Sequence, residues 1–321
     1  MNFDINNILN AHNYELICDY TFLPAYGKNL PSDINTKSGN IFCKTDFVLD
    51  LFSKLSNSQG NYNLITHHSD YPITKELFNK KPKCIKTWFG TNIKHKAPDL
   101  IPIPIGVNND YMTGYPNAKD FHDRTFKTFD SKENKIYFNF NINTRFLQRF
   151  HLKQKFLNKK GYVVEENTLT KGEYLEKINS YKYVACPWGN GLDTHRLWEA
   201  IYSNSIPIVK KHYAFSKFQD LPIIFVKNYN MLKLENLMIK NTDMNLTNTT
   251  ADFSYWMKYI KGIKNKNFIP NKNNIVLQIN ENNFYRKFLK NRKIKQRYKK
   301  IRYFIFRVYK YLLTLLIYRK A

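Results

Sequence analysis

The amino-acid sequence predicts an α/β protein built as two doubly wound halves facing a cleft, followed by a basic amphipathic helix at the C-terminus. Three observations predict it. Short runs rich in β-branched and aromatic residues alternate with segments of helical composition. Several of those runs end in polar residues, as parallel strands do when the carboxyl edge of their sheet carries a site. A charged segment, Asp120 to Asn134, reads as a linker between the two sets.

In the first half, Tyr14 to Phe22 reads as a strand and Gly39 to Cys43 as another, leading into a helix over Asp46 to Leu55. Tyr62 to Thr66 is an apolar run that ends in His67, His68, Ser69 and Asp70. Pro82 to Phe89 and the Ile-Pro-Ile-Pro-Ile-Gly-Val run of Leu100 to Val107 supply two more strands. Residues 1–125 then form one domain. In the second half, Lys135 to Asn143 opens a new sheet, and Thr144 is placed to cap a basic helix carrying Arg145, Arg149, His151 and Lys153. Gly161 to Glu165 is a strand, Lys171 to Ser180 a helix, and Tyr181 to Cys186 a strand. Pro187 and Gly189-Asn190-Gly191 break that strand. Asp193 or Thr194 can cap a helix running to about Ser203, and Ile206 to Val209 and Leu221 to Val226 return as strands. Phe253 to Ile263 reads as a helix packing back between the halves, and residues 126–283 make the second domain.

The chain of 321 residues is long enough for two cores. Its four cysteines, Cys18, Cys43, Cys84 and Cys186, form no C-x-x-C pair, which speaks against a zinc site or disulfide framework and for a reducing compartment. Met1 to Asn7 has neither a basic nor an apolar leader region, so no secretory signal is expected. The formal charge of +26 is concentrated at one end, with fourteen Lys or Arg and no acid from Arg286 to Ala321. Arg302, Arg307 and Lys310 interrupt the apolar residues there too often for a bilayer span. Residues 284–321 instead suit an amphipathic helix lying on an anionic membrane surface. The dense aliphatic content favours lipid over nucleic acid, and no nucleic-acid partner is expected.

The most informative stretch runs from Cys186 to Val209. A glycine turn feeding a helix N-terminus exposes unpaired N–H groups beside a positive dipole end, which suits a diphosphate. Gly189, Asn190, Gly191, Asp193, His195, Arg196 and Glu199 are therefore candidate contacts for an anionic ligand, with His195, Arg196 and Glu199 spaced to face one cleft. This segment resembles the donor-nucleotide segment of exostosin-like GT-B glycosyltransferases. Pro187, Gly189, Gly191, Asp193, Arg196, Trp198, Glu199, Ala200, Ile206, Pro207, Ile208 and Val209 carry the resemblance. Trp188 stands where that family often has Arg, and Cys186 where it often has Ser. The resemblance implies two Rossmann-like domains, the first serving the acceptor and the second the donor. It also implies that Arg196 contacts the diphosphate and Glu199 the ribose hydroxyls.

Glycosyl transfer needs a held leaving diphosphate, a stabilised oxocarbenium-like centre and, for inversion, a base for the acceptor hydroxyl. The chain has no Asp-x-Asp motif of the GT-A kind, so Arg196, Arg145, Arg149 and helix-end N–H groups would meet the diphosphate charge. Asn141, Asn143 and Thr144 are placed to add hydrogen bonds there. No metal or other cofactor is expected. For the base, Asp46, His67, His68 and Asp70 follow strand ends of the first half, with Asp110 and His122 next in line. Zinc-protease, P-loop and nucleophile-elbow spacings are absent from the sequence. The sequence thus predicts a metal-independent glycosyltransferase at the cytoplasmic face of a membrane, moving sugar to a glycan or lipid-linked acceptor. The alternative is a non-catalytic membrane- or nucleic-acid-binding protein on a degenerate GT-B fold.

Overall fold

The computed structural model describes residues 4–112, 114–238 and 249–262. The basic segment 284–321 and the helix expected in it lie outside the described residues. Two parallel five-stranded sheets organise the chain, consistent with a two-domain Rossmann-like arrangement. The first holds β1 (Tyr20–Phe22), β2 (Gly39–Lys44), β3 (Tyr62–His67), β4 (Ile85–Gly90) and β5 (Leu100–Pro102). The second holds β6 (Glu133–Phe138), β7 (Tyr162–Val164), β8 (Tyr181–Ala185), β9 (Ile206–Lys210) and β10 (Ile224–Val226). Both sheets belong to one compact unit.

The two sheets are wound differently. The second runs β10-β9-β8-β6-β7, so the chain reverses direction across the sheet between β6 and β8. That is the doubly wound order, with a crevice at the carboxyl ends of the two strands flanking the reversal. The first sheet runs β1 to β5 in chain order with no reversal, so the doubly wound expectation fails there. Successive right-handed crossovers in one direction put connecting helices on one face. That face carries Ile41, Cys43, Leu64 and Trp88, which share a core with Val48, Leu51 and Phe52 of α2 (Val48–Lys54) and with Leu77 and Phe78 of α3 (Lys75–Phe78).

The opposite face, with Phe42, Ile65 and Phe89, is covered by the two ends of the described chain. Tyr14 of α1 (Ala11–Leu16) meets Phe253 of the last helix edge-on at 5.1 Å between ring centroids. That last helix is α9 (Phe253–Ile260), whose Tyr259 meets Phe89 at 5.9 Å and whose Trp256 meets Phe218 of the second half at 6.1 Å. One continuous core therefore links the two sheets. It includes α7 (His195–Tyr202), in which every residue from Leu197 to Tyr202 is buried. The Tyr202 hydroxyl accepts from the Leu9 amide at 2.9 Å and donates to the Ala251 carbonyl at 2.8 Å, tying both ends of the described chain to α7.

Three local expectations are corrected. The expected strand from Tyr14 begins as a helix, because Asn10 caps it by accepting from the Asn13 amide at 2.9 Å and only Tyr20–Phe22 pairs with β2. The expected linker contains α4 (Ala118–His122), closed by a reciprocal capping box between Asn117 and Asp120. Thr144 does not cap α5 (Phe146–Phe156). Arg145 occupies the cap position in a left-handed backbone, at φ 51°, without a capping hydrogen bond. The helix α6 (Lys171–Ser180) forms where expected, with Thr170 and Glu173 as its capping box, and the short α8 (Glu235–Met238) follows β10.

Candidate functional site

The carboxyl ends of β2, β3 and β5 and the start of α7 enclose a cavity of about 320 Å³. Asp46, His67, His68, Asp70 and His195 all line it, so the four candidates for the base and one expected donor residue share one space. Their roles separate by hydrogen bonding. His67 is buried and stacked on Tyr14 at 5.1 Å. Its Nε2 lies 3.0 Å from the Pro104 carbonyl oxygen, which only accepts, so Nε2 carries the proton. Its Nδ1 accepts from the His68 amide at 2.8 Å. Both nitrogens are thus engaged, and burial pushes its pKa down to about 3, so the ring is neutral and structural. His68 has a left-handed backbone at φ 55°, and its Nδ1 sits 3.2 Å from the Tyr111 hydroxyl. Burial, then Lys44 and His195, lowers its pKa. Asp46 is exposed opposite Lys44 at 3.9 Å, while Asp70 accepts from Asn190 Nδ2 at 3.1 Å.

His195 presents the opposite arrangement to His67. Its Nδ1 lies 2.8 Å from the Gly106 carbonyl oxygen, so the proton sits on Nδ1. Burial lowers its pKa, against pulls upward from that carbonyl and from Asp70. Nε2 has no hydrogen-bond partner among the described residues. His195 therefore turns to the first sheet and does not share a cleft with Arg196 and Glu199, contrary to the expectation.

The glycine turn is held by the first half. Asn92, at φ 56° just past β4, accepts from the Leu192 amide at 2.7 Å and the Asp193 amide at 3.2 Å. A Cβ on Gly191 would lie 2.7 Å from Asn92 Oδ1, so only glycine admits this approach. Two amides of the turn are thus paired within the protein. Asp193 is buried and bridges to the first half, accepting from the Ile105 amide at 2.8 Å and from Trp198 Nε1 at 3.1 Å. Burial raises its carboxyl to about 7 against those donors. Asp193 and Gly191 thus join the halves.

The remaining candidates gather at the strand-order reversal, beside the carboxyl ends of β6 and β8. Arg149 is buried and spends its guanidinium on the backbone: Nε donates to the Trp188 carbonyl at 3.1 Å, Nη2 to Pro187 at 2.9 Å and Nη1 to Asn141 at 2.8 Å. Nη1 also donates to the Thr144 hydroxyl. Arg149 shapes this loop and has little left for a ligand. Arg145 Nε donates to the Gly189 carbonyl at 2.5 Å, and its guanidinium lies 5.3 Å from the Trp188 ring centroid. Lys210 approaches the same ring at 5.1 Å. Asn190, Asn141 and Asn143 are exposed.

Arg196 is different. Its Nε is buried without a hydrogen-bond partner among the described residues. Burial works against its charge, but Tyr174, Glu199, Cys186 and Tyr137 together hold its pKa above the ordinary value. Glu199 lies beneath it, buried, with Oε2 accepting the Tyr174 hydroxyl at 2.6 Å. Its carboxyl is raised by burial and drawn back by Arg196 and Tyr174. An unpaired buried donor on a cation costs about 1–3 kcal/mol or more unless an acceptor arrives. Arg196 Nε is thus a buried cationic donor able to take an acceptor.

The chain matches no family model and no curated protein. Among the described residues no cluster of three or more His, Cys, Asp or Glu could hold a metal ion, and no helix is long and apolar enough to cross a membrane. Asn92, Tyr174, Tyr111 and Lys210 were not legible as site residues. Asn92 follows a strand end within Gly90-Thr91-Asn92, and only its tolerance for a left-handed backbone marked it.

Proposed function

We propose that this protein is a sugar-nucleotide-dependent glycosyltransferase of the GT-B type, working without a metal. The nucleoside diphosphate would lie at the carboxyl ends of β6 and β8, with Arg196 meeting the leaving diphosphate as the glycosidic phosphate bond breaks. Arg145 and Lys210, beside Trp188, extend the positive surface for the same anion. Glu199 has one oxygen committed to Tyr174; the other has no partner among the described residues and is the one left for a ribose hydroxyl. Arg149 acts indirectly, fixing the Pro187–Trp188 backbone that frames the site. The acceptor would be a glycan or lipid-linked sugar, reached from a membrane surface through the basic segment 284–321.

The observation that carries this reading is the Arg196 guanidinium, partly unsatisfied, beside the reversal in a doubly wound sheet. Calorimetry with UDP, GDP, CMP and their sugars tests it. One nucleotide should bind, and Arg196→Ala should weaken it by about 2–5 kcal/mol, at least roughly thirtyfold. Glu199→Gln should weaken it less, because the amide still accepts one hydrogen bond. Parent-like affinity in both variants would remove the donor assignment.

A further inference from the structure

We propose that the nucleotide used at this site is a guanine nucleotide, with Glu165 and Lys153 reading the edge of its base. The inference rests on the donor assignment above and names the base that the assignment leaves open. Side chains alternate along β7. Tyr162 and Val164 pack into the core shared with α5, and Val163 into the core shared with α6 and α7. The ladder continues one residue past the strand, where the Glu165 amide donates to the Phe138 carbonyl at 2.8 Å. Glu165 therefore follows Val163 onto the side of the sheet covered by α6 and α7, at its carboxyl edge. That is the side of Arg196 and Glu199, and Tyr137 of β6 lies there too. The Tyr137 hydroxyl and the Lys153 ammonium each feel the charges of both Glu165 and Arg196, so these groups gather at one end of the sheet.

Glu165 is 9% exposed, and an acid held that far from water needs donors for its oxygens. Oε1 accepts from the Asn167 amide at 3.3 Å, which leaves it a second lone pair. Among the described residues Oε2 accepts from no donor, and no cation pairs with the carboxylate. Lys153 Nζ donates to the Glu165 main-chain carbonyl and keeps two N–H groups next to this residue. The pair therefore offers a ligand one donor followed by two acceptors. Guanine presents the complement: the O6 acceptor, then the N1–H and N2–H donors, which one carboxylate can take together. Uracil sets a carbonyl where N2–H would be. Cytosine and adenine set a bare ring nitrogen where N1–H would be. Each of the three turns a lone pair toward an ionised acceptor, and a buried site built for N–H donors rejects such an analogue. Arg196 at the diphosphate and Glu165 at the base then hold the two ends of one nucleotide, with the ribose at Glu199. No bond is made or broken at Glu165, so it sets specificity and takes no part in the chemical step.

The test is calorimetry on the full chain with GDP, inosine diphosphate, UDP, CDP and ADP, which share a diphosphate and differ in the base. Inosine diphosphate has the guanine edge without the N2 amino group, so it isolates the second carboxylate contact. GDP should bind about 5- to 150-fold tighter than UDP, CDP or ADP, the range for a bidentate contact to a base edge. Inosine diphosphate should fall between. Glu165→Gln keeps the shape and one acceptor but sets an N–H in place of the other, and should bring the GDP and inosine diphosphate affinities together. Arg196→Ala should weaken all the nucleotides alike and leave the ratio between those two as it was. A purely structural role for Glu165 would not move that ratio, so an unchanged ratio in Glu165→Gln overturns the inference. Equal affinity for GDP and inosine diphosphate in the parent protein overturns it before any variant is made. A preference for UDP, CDP or ADP that depends on Arg196 overturns it too, while leaving the donor site in place. Binding of none of the five removes the donor assignment and this inference together.

Discussion

Asn92 controls the glycine turn more directly than any residue within the turn. Its side-chain oxygen satisfies two amides of the other half, and its own Nδ2 donates to the Ser69 carbonyl at 2.9 Å. Asn92→Ala strands both amides in a buried setting and should cost about 2–6 kcal/mol, from roughly 1–3 kcal/mol for each unsatisfied group. Gly191→Ala should cost about 1–3 kcal/mol by overpacking against the same oxygen. The two penalties share one atom, so the double variant should be less destabilised than their sum by at least about 0.5 kcal/mol. Denaturant unfolding of the four proteins measures this, and strict additivity would show that the Asn92 oxygen is not the obstacle. The residues of this contact were only half legible in the sequence. The turn announced itself through Gly189-Asn190-Gly191, but its partner lies 100 positions away from Leu192, in a segment with no local signature.

At the scale of elements, what the sequence showed follows the range of the forces involved. Helix α6 was legible because Thr170 and Glu173 cap it locally, and β8, α7 and β9 because glycine and proline punctuate them. Strand order was not legible. The reversal between β6 and β8 and its absence from the first sheet are set by pairings between distant strands. Tyr14 to Phe22 misled because its apolar residues fit either period, and an Asn10 cap decided for helix. The Phe253 helix packs back as the sequence predicts, and α9 places Trp256 fully buried against Phe218, with its Nε1 donating to the Thr250 carbonyl at 3.0 Å. Trp256→Ala removes a large buried side chain from the core shared by both sheets, and should cost about 3–5 kcal/mol. Because that core is continuous, near- and far-ultraviolet dichroism should follow a single shifted transition. Two separated transitions would show that α9 does not couple the halves.

At the scale of the whole molecule, charge and fold are distributed separately. Every described strand and helix lies before residue 263, whereas over half of the +26 excess lies from Arg286 onward. The site argued above needs only local cations, Arg196, Arg145 and Lys210, so the terminal charge has no work to do in the cleft. A cation near an anionic bilayer gains about 1 kcal/mol. Fourteen of them, interleaved with Tyr, Phe, Ile and Leu, would hold the protein at a membrane even if only a few engaged at once. That attraction is screened over about 10 Å at 0.1 M salt and about 3 Å at 1 M, while apolar burial is not. Vesicle flotation therefore distinguishes the contributions. The full chain should float with vesicles containing phosphatidylserine, float less as salt rises, and float little with neutral phosphatidylcholine. A chain ending at Asn283 should stay at the bottom in every case while still binding nucleotide. Equal flotation of the shortened chain would move the membrane contact into the folded region, and failure of the full chain to float would end the peripheral reading.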